Sequence, residues 1–177
     1  MINFIGNCSN LNWDAVIADL DNTEPAYVGP RHKKGDKLDG VNEVTKLWEK
    51  GNYKPIADGG TLGWDMYFPG QQFDELVIKK FVDFFEIENY HTAWISCIHV
   101  GNYAPVHWDV NDKDDVLDDC VRYHCHIGQP AVGHIFIAGD EAFYNRPQGS
   151  TYMWSSRKLW HAGSNCGLQP KYLLNLW

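Results

Sequence analysis

The chain has 177 residues, of which 44% are hydrophobic and 14% aromatic, and its formal net charge is −8. A chain of this length suits one domain with a sizeable core. Its aromatic content excludes a disordered polymer. Its acidic balance disfavours nucleic acid and anionic membranes as partners, because both would repel it.

Neither a membrane span nor a secretory signal is expected from the sequence. No apolar run approaches the roughly 20 residues that cross a bilayer, and the first ten residues lack the basic and apolar pattern of a signal peptide. The five cysteines are odd in number and form no CxxC pair. We therefore expect a cytoplasmic protein without a disulfide framework.

Three helices are predicted in the N-terminal half, at residues 11–20, 41–50 and 73–87, from apolar residues spaced three and four apart. A stretch rich in proline, glycine and charge separates the first two and predicts a loop. We expect residues 1–88 to form a helical region that supports the C-terminal half.

The pattern changes near residue 89, where short β-branched and aromatic runs alternate with turn residues. Such runs favour a β-sandwich or barrel. The whole chain, residues 1–177, is accordingly expected to be a single, mainly β domain with N-terminal helices and a β core over 89–177. The predicted strands are 91–100, 121–127, 133–138, 150–154, 159–161 and 172–177.

The first candidate for a metal site is the tripeptide His107-Trp108-Asp109. In a strand, residues i and i+2 point to the same face, so His107 and Asp109 offer one imidazole and one carboxylate to the same ion. A second imidazole, His161, follows 54 residues later. Two histidines and one carboxylate form the facial triad that leaves coordination positions open on non-haem Fe(II). The tripeptide alone is also compatible with a polar pair at the end of a surface strand.

Lys171 lies ten residues after His161, in an otherwise apolar run. We interpret the segment between them, AGSNCGLQP, as turn material that joins two antiparallel strands. A cation on the strand after the second histidine is suited to the far carboxylate of a dicarboxylic acid that chelates the metal. The alternative is that Lys171 is the solvated first residue of its strand.

This ordered set of residues resembles the Fe(II)/2-oxoglutarate-dependent dioxygenases. Cys97–Asp109 is similar to the strand, glycine turn and HxD motif of prolyl-hydroxylase-type members. Pro147–Trp154 is similar to their Pro-x-x-Gly turn and the strand that follows. Arg122–His124 is similar to an Arg-x-His strand of aspartyl β-hydroxylase-like members. The resemblance covers residues 94–177.

The resemblance implies a double-stranded β-helix, a jelly-roll and cupin-like core. It implies His107, Asp109 and His161 as iron ligands and Lys171 as the partner of the 2-oxoglutarate C5 carboxylate. The implied reaction hydroxylates a C–H bond of an amino acid, peptide or protein side chain, with succinate and CO2 as co-products. Most prolyl- and aspartyl-hydroxylase-like members have arginine where Lys171 stands.

Further pocket residues are expected on the strand after the metal motif. Arg122, His124 and His126 alternate and therefore share one face. If that face is interior, Arg122 binds a carboxylate and His124 or His126 supports the site. If it is solvated, the opposite face forms the core, and a wall strand covered on both faces is a third alternative. Tyr103 and Trp154 are further candidates for the pocket wall.

Two other functions stay open from the sequence. A cupin-type metalloenzyme uses histidine and carboxylate ligands without 2-oxoglutarate, although it usually takes more histidines from its first motif. A non-catalytic β-barrel that binds a ligand is the second alternative.

Overall fold

The computed structural model describes residues 1–28, 64–107, 121–154 and 159–177. Within these ranges the chain is mainly antiparallel β-sheet with two helices. The predicted helix at 41–50 lies outside the described residues.

Helix α1 spans Trp13–Asp21 and α2 spans Glu75–Phe84, so both predicted helices in the described ranges are confirmed with shifted ends. Each begins where a short polar side chain accepts a hydrogen bond from the first turn: Asn12 caps α1 and Asp74 caps α2. These caps satisfy amide groups that the helix itself leaves without partners. In each helix a stripe of apolar residues at helical spacing is buried.

The described strands form two antiparallel sheets. The strands are β1 Asn3–Asn7, β2 Asp65–Tyr67, β3 Ala93–Ile98, β4 Tyr103–His107, β5 Arg122–His126, β6 His134–Ala138, β7 Glu141–Tyr144, β8 Ser150–Trp154, β9 His161–Asn165 and β10 Lys171–Leu176. The six-stranded sheet has the order β1-β8-β5-β10-β3-β2, and the four-stranded sheet has the order β4-β9-β6-β7. From β3 onward the chain crosses between the sheets at every connection except the β6–β7 hairpin.

The N-terminal half contributes strands as well as helices. Strand β1 pairs with β8, and β2 pairs with β3, so residues before 88 form both edges of the six-stranded sheet. The division at residue 88 stays a prediction, but the region before it is not purely helical.

The structure corrects the predicted turn between His161 and Lys171. Residues His161–Asn165 form strand β9, which pairs with β4 on one side and β6 on the other. Only residues 166–170 connect β9 to β10, and they lead from one sheet to the other. His161 is therefore the first residue of a strand rather than the last.

Two hydrophobic clusters hold these layers together. The larger cluster packs both helices on the six-stranded sheet, with Trp13, Leu20 and Phe81 against Ile95 and Leu174. The smaller cluster joins the two sheets, because it combines aromatic residues of β6, β7 and β8. Burial of such side chains provides most of the favourable free energy of folding.

Cys8, Cys97, Cys125 and Cys166 are free thiols in the described part of the chain. Neither described helix is long and apolar enough to cross a membrane.

Candidate active site

The backbone brings the two predicted histidine ligands together. His107 ends β4, His161 begins β9, and the two residues are directly opposite in the antiparallel register. The pairing is irregular between Ala104 and His107, as at a β-bulge. Asp109 lies outside the described residues. Within the described ranges no three histidine, cysteine, aspartate or glutamate side chains form a potential metal cluster.

A cavity of about 80 Å³ lies between the sheets beside His161. Its described lining is mostly apolar, with a few polar groups from β3, β5, β9 and β10. The lining residues are Trp64, Trp94, Ser96, Ile98, Ala104, Arg122, Tyr123, His124, Phe136, Trp154, His161, Ala162, Gly163, Leu173, Asn175 and Leu176. A mostly apolar cavity with a few converging polar groups is the usual form of a small-molecule site.

Both faces of strand β5 are buried in the structure. Arg122, His124 and His126 are buried, with 4%, 6% and 8% of their surface exposed, and Cys125 and Ile127 on the opposite face are fully buried. Arg122 and His124 line the cavity. The third alternative, a wall strand covered on both faces, is therefore confirmed.

His124 is oriented by a chain of hydrogen bonds along the cavity wall. Its Nδ1 lies 2.9 Å from Asn175 Oδ1, while Asn175 Nδ2 donates to Ser96 Oγ at 3.1 Å. Trp94 Nε1 also donates to Ser96 Oγ, at 3.0 Å. An oxygen of Asn175 can only accept, so His124 carries its proton on Nδ1. Its buried Nε2 has no hydrogen-bond partner among the described residues.

Burial is the main cause that disfavours a positive charge on His124. Desolvation is the largest cause that lowers its pKa well below the ordinary value, followed by His126 and Lys171. His161 acts in the same direction, and the hydrogen bond that His124 donates to Asn175 opposes the shift.

The other polar wall residue, Arg122, stacks on an aromatic ring. Its Cζ lies 3.3 Å from the centroid of the Trp177 ring, which is a cation–π contact. The contact fixes the guanidinium plane at the cavity wall, and the planar fork of N–H groups is suited to bind a carboxylate.

Lys171 is buried rather than solvated, with 1% of its surface exposed. Its ammonium donates to the Ile135 carbonyl at 2.5 Å and has no carboxylate partner in the part of the chain that the structure describes. Burial lowers the pKa of Lys171 from 10.5 to about 7. It lies next to the cavity, because a Cβ built on the lining residue Gly163 would be 3.6 Å from Lys171 Nζ.

The two aromatic candidates have different positions. Trp154 is 3% exposed and lines the cavity, with its ring centroid 5.6 Å from that of His161. Tyr103 is half-buried on β4, opposite Ser164, and is not among the described lining residues. Sequence reasoning missed Ser96 and Asn175. Asn175 had a visible signal, since it is the one amide in the apolar run 171–177.

No family model matches the chain, and no curated protein sequence matches it. The similarities found are to solved structures. Viral collagen prolyl hydroxylase vCPH from Paramecium Bursaria Chlorella virus-1, solved as a 2OG complex, is 14% identical. The match covers 99% of this chain and 93% of that chain with a TM-score of 0.54.

Two further matches are weaker. A prolyl hydroxylase from Trichoplax adhaerens, in complex with a hypoxia inducible factor peptide fragment, is 13% identical over 96% of this chain and 94% of that chain, with a TM-score of 0.49. A prolyl-4-hydroxylase from Pseudomonas putida is 14% identical over 93% and 97%, with a TM-score of 0.47. At these identities the comparison with vCPH shows a common fold, and that fold extends over nearly the whole chain.

Proposed function

We propose that the protein is a non-haem Fe(II)- and 2-oxoglutarate-dependent oxygenase built on a double-stranded β-helix. The observation that carries the proposal is the register of His107 opposite His161 beside a buried cavity. The fold proposal is supported by the alternation of β3 to β10 between two antiparallel sheets and by the fold shared with vCPH.

The proposed iron ligands are His107, Asp109 and His161. Residues that face each other across an antiparallel pair lie about 5 Å apart at Cα, which meets the spatial requirement for two ligands of one ion. Asp109 follows His107 by two residues and supplies the carboxylate. When bound, iron and 2-oxoglutarate would together supply the oxidising chemistry that hydroxylates a C–H bond and releases succinate and CO2.

The donor set of the interior fits a dicarboxylate. Arg122 and His124 line the cavity from β5, while Lys171 lies beside the cavity at the start of the neighbouring strand β10 and lacks a carboxylate partner among the described residues. A bound C5 carboxylate gives the buried ammonium the counter-charge that makes its burial tolerable. Arg122 stands at the cavity wall to hold a second carboxylate, and the two sheets exclude water from the reacting groups.

The proposed substrate is an amino acid, a peptide or a protein side chain. This part rests on the resemblance of residues 97–109 and 147–154 to prolyl hydroxylases. The aromatic cavity wall, with Trp64, Trp94 and Trp154, is compatible with a mainly apolar group near the metal.

Anaerobic titration calorimetry tests the proposal. We expect Fe(II) to bind with 1:1 stoichiometry and 2-oxoglutarate to bind only after the metal. His161→Ala and Asp109→Ala should each weaken the metal at least 100-fold, whereas the matched control His91→Ala, at an exposed histidine, should leave binding unchanged. Equal metal affinity in all three variants would contradict the ligand set.

The same titration separates the alternatives. A cupin-type metalloenzyme would bind the metal but not 2-oxoglutarate, and a non-catalytic barrel would bind neither. Release of succinate that survives His161→Ala and Asp109→Ala would also rule out the proposed site.

A further inference from the structure

The wall of the cavity beside His161 contains a buried hydrogen-bond acceptor that lacks a donor among the described residues. His124 lines this cavity with 6% of its surface exposed, and its Nε2 has no hydrogen-bond partner in the described part of the chain. The ring proton is on Nδ1, because Asn175 Oδ1 at 2.9 Å can only accept it. In the neutral imidazole Nε2 is then an acceptor, and a buried acceptor without a donor destabilises the protein.

Two contacts fix the orientation of the His124 ring. Its face stacks on Phe136 of the opposite sheet, with the centroids 4.2 Å apart and the planes 17° apart. On β10, Asn175 Nδ2 donates to Ser96 Oγ at 3.1 Å and to the Leu173 carbonyl at 3.3 Å, so that Asn175 Oδ1 is left to accept from His124. A half-turn of the imidazole would keep the stack but replace the Nδ1 hydrogen bond with a C–H contact. The acceptor Nε2 is therefore held at a fixed position.

The charges of the cavity disfavour a positively charged group at this position. The described lining contains no carboxylate, and Arg122, on the same face of β5, is a permanent cation. An imidazolium at His124 would therefore lack a counter-charge within the described lining, which favours the neutral ring. An ammonium group of a ligand would be repelled by the nearby guanidinium. The group that suits Nε2 is thus an uncharged N–H or O–H.

The chemistry of the ligands narrows the source of this donor. Fe(II) has no hydrogen to donate, and 2-oxoglutarate at neutral pH is a dianion without an N–H or O–H group. Of the three partners of the proposed reaction, only the substrate can therefore supply the donor. The uncharged donor that recurs in peptides and in amino acid derivatives is the amide N–H.

We propose that the substrate presents an uncharged amide N–H to His124 Nε2, close to the C–H bond that is oxidised. His124 is then a substrate-binding residue, and Asn175 is the residue that positions its ring and fixes its proton on Nδ1. The identification of the ligand as the substrate rests on the proposed function. The acceptor and its preference for an amide do not, because both can be measured in the protein without metal and without 2-oxoglutarate.

The first arm of the test is the long-range ¹H–¹⁵N correlation spectrum of metal-free protein labelled with ¹⁵N-histidine. His134 is an internal reference, because its Nε2 donates to the Gln169 carbonyl at 2.9 Å and is therefore protonated. His124 Nε2 should instead give the signal of an unprotonated nitrogen. N-methylacetamide should displace that signal saturably toward the protonated position. Methyl acetate, which has the same shape with an ester oxygen in place of the N–H, should leave the signal unchanged.

Three results of this arm overturn the proposal. A His124 Nε2 signal at the protonated position would refute the assigned tautomer. Equal displacement by N-methylacetamide and methyl acetate, or displacement by neither, would show that Nε2 accepts no hydrogen bond from an amide. A signal that is already displaced in the free protein and does not respond to the amide would mean that a bound water occupies the acceptor.

Asn175→Leu tests the positioning role. Without the Oδ1 acceptor the proton should redistribute between the two ring nitrogens, so the Nε2 signal of His124 should move toward the protonated position before any ligand is added. The affinity for N-methylacetamide should fall about tenfold, as for the loss of one hydrogen bond. The matched control Asn89→Leu, at an exposed asparagine, should behave as the wild type does. An unchanged Nε2 signal in folded Asn175→Leu would refute the role of Asn175, and the paired probes on the wild type decide the acceptor even if this variant does not fold.

A second arm adds Zn(II), as a diamagnetic substitute for Fe(II), and then 2-oxoglutarate. Both should leave His124 Nε2 unprotonated and still responsive to N-methylacetamide, and acetamide in its place distinguishes a side-chain carboxamide from a backbone amide by their relative affinities. Displacement of the Nε2 signal by Zn(II) alone would show that a metal-bound water is the donor and would overturn the assignment to the substrate. Failure of Zn(II) and 2-oxoglutarate to bind would refute the proposed function instead, and the response of the metal-free protein to the two probes would be unaffected.

Discussion

Replacing Lys171 with methionine should stabilise the protein in a pH-dependent way. Burial lowers the pKa of Lys171 from 10.5 to about 7, so the folded state disfavours the charged ammonium. One pKa unit corresponds to about 1.4 kcal/mol. The step from 10.5 to about 7 therefore corresponds to about 5 kcal/mol of lost stability, and methionine fills a similar volume without a charge.

The pH range of the effect follows from the two pKa values. Below about pH 7 the lysine is protonated in both states and the full cost is present. Between pH 7 and 10.5 the unfolded chain keeps its proton while the folded protein loses it, so wild-type stability rises with pH and the cost fades. Loss of the hydrogen bond to the Ile135 carbonyl offsets about 1 kcal/mol of the gain. We expect Lys171→Met to be about 3–5 kcal/mol more stable at pH 6 and nearly equal to wild type near pH 10.

Urea unfolding followed by tryptophan fluorescence measures this difference, in chloride-free buffer at pH 6, 7.5 and 9.5. Lys171 lowers the pKa of the buried histidines His124, His126 and His134, so its replacement eases the cost of burying them and adds to the predicted gain at low pH. Lys79→Met, on the exposed face of α2, is the matched control and should change stability little at any pH. A Lys171→Met protein that is no more stable than wild type at pH 6 would refute the assigned cost of burial.

Two further substitutions test how the backbone is held. Asn165→Ala should lower the free energy of unfolding, measured in urea, by about 2–4 kcal/mol. The fully buried side-chain amide of Asn165 donates to two backbone carbonyls and accepts a hydrogen bond from one backbone N–H group. A loss below ~1 kcal/mol would contradict this role. Gly149→Ala should lower the free energy of unfolding by about 2–4 kcal/mol. Gly149 has a φ of +84°, and a Cβ added there would lie 2.5 Å from the Cys8 carbonyl oxygen. Gly101→Ala is its control, since a φ of +80° with nothing within 4 Å leaves only backbone strain of about 1 kcal/mol. Equal effects at the two glycines would show that the contact does not matter.

The sequence predicted the helices better than the strands, for a physical reason. The apolar residues of α1 and α2 follow the helical period over nine or ten residues, and a capping side chain precedes each helix. The pattern is therefore visible in the local sequence. Strand β7 has four residues with only Phe143 buried, and β1 includes Gly6 at a φ of +135° and an irregular register. Their pairing partners, rather than their own patterns, decide that they are strands.

Strand β9 was misread because its small residues serve the interior. Glycine and serine usually indicate a turn, yet Gly163 lies in the middle of a paired strand. A Cβ at Gly163 would lie 3.3 Å from Ile98 Cδ1 and 3.6 Å from Lys171 Nζ. The strand is small at this point because side chains of two other strands cross it, which is a tertiary requirement that local pattern does not reveal.

The candidate site was predictable in its residue types and not in its orientation. Alternation placed Arg122 and His124 on one face of β5, but apolar residues on the other face made both directions plausible. The structure shows that both faces are buried, one by the cavity and one by the helical layer. Period-two alternation cannot distinguish interior from exterior when neither side meets water.

The distribution of charge in the interior links these observations. Buried Asp65 has a partner at 2.6 Å in His99, so this interior does pair a charge where a partner is available. Lys171 is instead buried without a counter-ion among the described residues. Its replacement by methionine should remove the resulting loss of stability. A chain selected for stability alone would lose such a lysine, because uncharged residues of similar volume are available. Its retention is explained if the proposed C5 carboxylate of 2-oxoglutarate balances it, and the stability gain of Lys171→Met should then be matched by a loss of affinity for 2-oxoglutarate.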